Sequence, residues 1–354
     1  MDYARLLPSP DAIPASPWVF WTLGVLTFMV HIVLVNALLG GSVIALFTRI
    51  RGGSASREPI HGPITGKLPS ITALAINFGV APLLFIQVIY GTLYYTSSVL
   101  MAVFKLLVIP LLIAAYYGVY AHKKLGDSRK ILATALLACA VIIFLYIALL
   151  FAGNLTLMVR PGEWTSYFGN RGGTYFPARD LIIYPRLAHF ITASIAVGGL
   201  ALALLWNYRD NGRERALTGL RIYAIATLFQ FAVGPWYLFS QQDPAFEALT
   251  GDRIGYAAVL AAGILTAFAS VAAAFKGRIF ATCAFFICTM TAMTFTRANV
   301  RIVDTAGFFT IESLPLKPQY GPMFLFILFL VLGAAVIFYL VKKALVAGRG
   351  GDAR

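Results

Sequence analysis

The chain has 354 residues, 60% of them hydrophobic and only 12% charged, with a mean hydropathy of +0.81 and a formal net charge of +14. Soluble domains carry about a quarter charged residues, so an ordinary soluble fold is excluded and the bilayer is the solvent. The basic residues sit in short clusters between apolar runs, which is the pattern of loops held on one side of a membrane and argues against a nucleic-acid partner.

Residues 1–17, MDYARLLPSPDAIPASP, are polar and proline-rich, with no basic n-region before an apolar stretch. They read as an extracytoplasmic segment and not as a cleavable signal peptide. A spanning helix needs about 20 apolar residues, because the hydrocarbon is about 30 Å thick and a helix rises about 1.5 Å per residue. On that rule the sequence predicts about nine transmembrane helices, at residues 18–48, 71–94, 99–121, 131–158, 181–207, 217–240, 254–275, 278–298 and 321–344. Polar breaks such as RIRGGSASREPIHGPITGKLP, HKKLGDSRK and NYRDNGRER separate them. No soluble stretch long enough to fold alone intervenes. Residues 18–344 are therefore expected to form one all-α integral membrane domain, followed by a cytoplasmic tail at 345–354.

An arrangement with the N-terminus outside places 18 of the 28 Lys and Arg residues in inner loops, Arg57, Lys67, Arg349 and Arg354 among them. The C-terminus is then cytoplasmic, and the cell's inner membrane is the expected location. The longest outer connection, RPGEWTSYFGNRGGTYFPARD, is rich in Gly, aromatics and Arg and reads as a lid or docking surface.

Polar and ionisable groups inside a membrane are costly and therefore informative. They are His31 and Asn36 on helix one, Asn77 and Gln87 on helix two, Lys105 on helix three, Asn154 on helix four, Arg186 and His189 on helix five, and Gln230 on helix six. His31 and His189 are placed in the outer half of the bilayer. Neutral imidazole is the common axial ligand of a b-type haem, whose propionates need nearby cations. Arg186 lies one turn before His189, and the small stretch SIAVGGLALAL would wall a slot for the macrocycle. The plainer reading has His189 bonded to a neighbouring helix and Arg186 snorkelling to headgroups.

Around His31, Asn36 and the Gly40, Gly41, Ser42 cluster also fit a close helix-packing site. His61 falls in a cytoplasmic loop and His122 at the inner end of helix three, and both are expected to be solvated or interfacial. Helix eight brings Met290 and Met293 into the outer half as candidate axial ligands or as packing, followed by Arg297 and Arg301 on one face at the outer interface, suited to propionates, anionic headgroups or an acidic partner. Lys105 has no acid on its helix and would hold a propionate, a quinone oxygen or a phospholipid, or snorkel. Cys139, Cys283 and Cys288 lie in apolar runs without CxxC or CxxCH spacing, which excludes a disulfide framework, a zinc site and covalent c-type haem.

Together these features resemble the large subunit (subunit I) of the cytochrome bd quinol oxidases. The likeness rests on a helix-one histidine, NFGVAP on helix two and YYGVYAHKKL ending helix three, RPGEWTSYF, YPRLAHFITASIAVGGLAL and FAVGPWYLFSQQDPAFEAL. It implies a bd-like bundle in which His31 and His189 ligate haem iron, His189 that of the low-spin haem b. The chain departs from the family where oxygen is reduced. SSVLMAVFKLLVIPLLIAAYYGVY lacks the two helix-three glutamates, GYAAVLAAGILTAFASVAAAF lacks the helix-seven methionine, and the helix-eight glutamate falls near Thr294. The quinol loop is cut to about a dozen residues and has no lysine.

With no carboxylate identified in the membrane, oxygen reduction is not expected. The expectation is a subunit with one or two b haems that oxidises quinol and passes electrons to an extracytoplasmic c-type cytochrome, beside a second membrane subunit. A haem-free anchor subunit of a respiratory complex is the alternative. A transporter is a third, for which no inverted repeat is evident.

Overall fold

The computed structural model describes residues 7–51, 60–126, 128–209 and 212–343, and the backbone of 344–350. Arg57, Arg354, the side chain of Arg349 and the first six residues of the N-terminal segment lie outside the described residues. Among those described, nine helices are long and apolar enough to cross a membrane. They are α1 (Pro17–Ile50), α2 (Gly62–Leu100), α3 (Ala102–Leu125), α4 (Lys130–Met158), α5 (Ile183–Asn207), α6 (Arg213–Phe239), α7 (Ile254–Phe275), α8 (Ile279–Thr305) and α9 (Tyr320–Gly350). No strand is present among these residues, and the only bridge joins Ile13 to Leu316.

Three helices run longer than apolar periodicity alone predicts. Pro63 opens the first turn of α2, where a missing N–H is harmless, and Ile64 and Leu68 are fully buried, so the helix starts well before residue 71. It carries Pro69 and Pro82 inside and loses helical geometry at Tyr90 (φ −113°, ψ 29°). α8 continues past 298 to Thr305, so that Arg301 and Asp304 are part of the helix. α9 reaches Gly350, so most of the expected tail is helical.

The core forms where small residues let backbones touch. A Cβ added to Gly40 of α1 would lie 1.7 Å from the carbonyl oxygen of Ser194 on α5, and one added to Gly198 would lie 2.4 Å from the carbonyl carbon of Gly40. On the other side of α5, a Cβ at Gly199 would meet Tyr223 N of α6 at 2.7 Å. Ser194 Oγ donates to Asn36 Oδ1 at 2.9 Å, closing the α1–α5 contact with a buried hydrogen bond. The packing reading of Asn36 and the glycine cluster is therefore the one the fold uses. The small stretch of α5 does not wall a slot, because its paired glycines are filled by α1 and α6.

α6 is tied to α7 by Tyr223 Oη donating to Ser270 Oγ at 2.7 Å. Tyr223→Phe is expected to lower stability in detergent by about 0.6–1.7 kcal/mol, the range for interhelical hydrogen bonds in membranes, as read from a denaturation midpoint. Of the two expectations for His61 and His122, solvated or interfacial, the first is not met. His122 is 1% exposed, with Nδ1 2.7 Å from Ala133 O, and His61 is 9% exposed, with Nδ1 3.0 Å from Thr48 Oγ1. Each uses its ring to join neighbouring helices.

At the opposite end, the connection between α4 and α5 forms a short 3-10 helix, Pro161–Phe168. It is pinned by Trp164 Nε1 to Leu157 O (2.9 Å) and by an Arg160–Asp180 ion pair (2.8 Å). Backbone bonds from Val103 N to Gly173 O and from Tyr175 N to Leu100 O fasten it over the α2–α3 turn. The segment is thus a fixed cap that leaves Phe168 and Leu181 exposed.

Candidate functional site

Two helices bring cations to this loop end. Arg186 lies in the first turn of α5, and Arg297 and Arg301, one turn apart on α8, share a face. All three point into the bundle. Arg186 Nη1 donates to Thr156 Oγ1 (2.6 Å) of α4, and its Nε donates to Tyr237 Oη (3.0 Å) of α6. The Arg297 guanidinium stands over the Phe28 ring of α1 at 4.1 Å, and that of Arg301 over Tyr90 of α2 at 5.5 Å. Arg297 is within electrostatic reach of Arg301, Tyr237, Arg186 and Tyr90. None of the three arginines forms an ion pair with a described residue, and the carboxylate of Asp304, in the last turn of α8, lies within electrostatic reach of Arg160 first and then of Arg186 and Arg301.

Asp304 is the carboxylate α8 brings to this loop end, where it lines a cavity with Arg160, Glu163 and Gln242. The apolar window closes at residue 298, whereas the helix runs on to Thr305 and includes Asp304. Asp180 is taken by Arg160, and Glu312 is exposed. Three guanidinium charges less one ionised carboxylate leave a surplus of two positive charges among low-dielectric helices. Such a surplus is costly unless an anion joins it.

Both histidines border this cluster. The His31 ring lies against Gly79 of α2, where an added Cβ would come within 2.8 Å of Cε1, and its Nδ1 is 3.0 Å from Ala75 O. A carbonyl can only accept, so Nδ1 carries the proton and the lone pair is on Nε2, the tautomer a metal requires. Arg297 links His31 to the arginines through Phe28, whose ring centroid is 6.4 Å from the imidazole. On α5, His189 packs 5.9 Å from the Tyr237 ring, and its backbone carbonyl accepts from Gln230 Nε2 at 2.8 Å. His189 Nδ1 is buried without a partner among the described residues, a condition that costs about 1–3 kcal/mol.

The fold therefore brings His31, His189, Arg186, Arg297 and Arg301 to one end of the bundle, with the histidines turned toward different helices. The other candidates have separate contacts. Met293 fills the α7–α8 interface, its Cε 2.7 Å from where a Cβ on Gly263 would be. Met290 lies one turn before Thr294, whose hydroxyl bonds to its carbonyl. Lys105 is held between α2, α3 and α4. Tyr237, Phe28, Tyr90 and Asp304 were not singled out from sequence. Of these, only Asp304 left a signal, being three residues beyond Arg301 and thus on its face.

These features define a multi-pass α-helical membrane protein with a cationic, histidine-bearing cluster at one end. No family model matches the chain, and no curated protein matches it.

Proposed function

We propose that this chain is the haem-b-binding subunit of a membrane oxidoreductase that takes electrons from a quinol and hands them to an extracytoplasmic cytochrome. The observation that carries the reading is the cationic surplus beside two histidines. The two propionates of a haem would cancel the surplus of Arg186, Arg297 and Arg301 over Asp304. His31 offers Nε2 as a ligand atom, and His189 offers a ring nitrogen with no other partner. A bound b-type haem supplies one-electron transfer.

The residues around it then have separate tasks. Ala75 O fixes the His31 tautomer, Gln230 holds the His189 backbone, and Thr156 and Tyr237 orient Arg186. On the orientation favoured by the Lys and Arg distribution, the cluster faces the extracytoplasmic side, beneath the cap with exposed Phe168 and Leu181. The resemblance to cytochrome bd subunit I supports the same assignment. The alternative, a haem-free anchor, is favoured by one observation: the α5 glycines and Met293, candidate parts of a haem slot, are used in helix packing.

Purified protein is expected to show a Soret band, a reduced-minus-oxidised α-band and one or two haems b per chain by pyridine haemochrome. Protein expressed with adequate haem supply that yields neither band nor extractable haem would overturn the haem reading.

A further inference from the structure

Lys105 lies outside the arginine cluster, and its surroundings form a second polar site. It is the fourth residue of α3, close enough to the helix end for its four-carbon stem to reach the headgroups. The side chain turns inward instead. Nζ donates to Tyr94 Oη at 2.7 Å and to Asn154 Oδ1 at 3.3 Å, and it lies 4.7 Å and 4.5 Å from the ring centroids of Tyr94 and Phe151. Asn154, fully buried, is oriented by its Nδ2 bonds to Ser97 Oγ (3.1 Å) and Ser98 Oγ (3.5 Å). The lysine is thus held by neutral acceptors on two other helices.

An ammonium has three N–H donors, and two are used here. Tyr94 Oη accepts from Lys105, which leaves its own proton to donate. One ammonium N–H and one phenolic O–H are therefore available side by side, next to the rings of Tyr94 and Phe151. Beside Lys105 on α3, Val103 and Leu106 are 40% and 69% exposed, so the site borders the lipid-facing surface.

This chemistry discriminates among ligands. A phosphate site gathers several charged donors, and here a single cation is surrounded by neutral groups. A flat, uncharged ring with oxygen substituents matches two neutral-flanked donors beside aromatic side chains. We propose that Lys105 and Tyr94 bind the oxygen of a lipid-soluble quinol or quinone headgroup that enters laterally from the bilayer. The assignment rests on the quinol reading above and gives that substrate a place on α2, α3 and α4.

The test is binding of decylubiquinone to the purified full-length protein, followed by quenching of intrinsic tryptophan fluorescence, with native mass spectrometry of co-purified phospholipid alongside. Lys105→Met keeps the stem and removes the donor, and is expected to weaken binding at least ~10-fold with lipid content unchanged. Tyr94→Phe, which keeps the ring, is expected to weaken it several-fold and carries the test if Lys105→Met fails to fold. Wild-type protein that binds decylubiquinone as tightly as both variants do overturns this site and leaves the quinol reading standing. Loss of an anionic phospholipid from Lys105→Met, with quinone binding intact, assigns the site to lipid and overturns the proposal. No binding by the wild type overturns the quinol reading and this site together.

Discussion

Gly40→Leu is expected to prevent assembly of the bundle. The first side-chain carbon would lie 1.7 Å from Ser194 O, far inside contact distance, and the obstacle is backbone on a helix that is itself locked against α6. Overpacking that side-chain rotation can relieve costs about 1–3 kcal/mol. Here no rotation of Ser194 moves its carbonyl, so α1 and α5 must separate and the Asn36–Ser194 hydrogen bond breaks with them. The expected result is loss of the monodisperse detergent-solubilised species on gel filtration. Gly333→Leu on α9, where an added Cβ meets nothing within 4 Å, is the control and is expected to behave as wild type. Equal behaviour of the two variants would show that the close α1–α5 crossing does not exist.

Arg297→Gln and Asp304→Asn are expected to act in opposite directions on haem retention. The first lowers the surplus positive charge of the cluster by one and the second raises it by one. A charge-assisted contact contributes about 1.5–3 kcal/mol, so losing the Arg297 guanidinium corresponds to roughly 10- to 150-fold weaker retention, whereas Asp304→Asn tightens it. Haem content after extended detergent washing, measured by pyridine haemochrome, reads both. If the cluster holds no anion, Arg297→Gln only relieves repulsion among three guanidinia, and the melting temperature rises. Retention that falls equally in both variants would exclude the charge-balance argument.

The membrane class and most of the helix frame were legible in the sequence, because a bilayer imposes a length and an apolarity on each crossing that single stretches reveal. α7, expected at 254–275, spans Ile254–Phe275, since no charged residue interrupts it. α8 was cut short because Arg297, Arg301 and Asp304 are polar. A hydropathy window cannot tell that they face other helices and not water. His31, His189 and the arginines stood out because their residue types are costly in lipid, a property of the residue and not of its neighbours. Which of them meet was decided by packing alone. Gly40, Gly198 and Gly199 set α1, α5 and α6 close together, and that contact helps bring Arg297 to Phe28 and Arg186 to Tyr237 across more than a hundred and across about fifty residues of chain. Composition and periodicity determined that this chain lives in a membrane and where its unusual polar groups lie. Only the tertiary structure showed that three arginines, one aspartate and two histidines share one end of the bundle while Lys105 sits apart, because charge balance belongs to a place in space and not to a position along the chain.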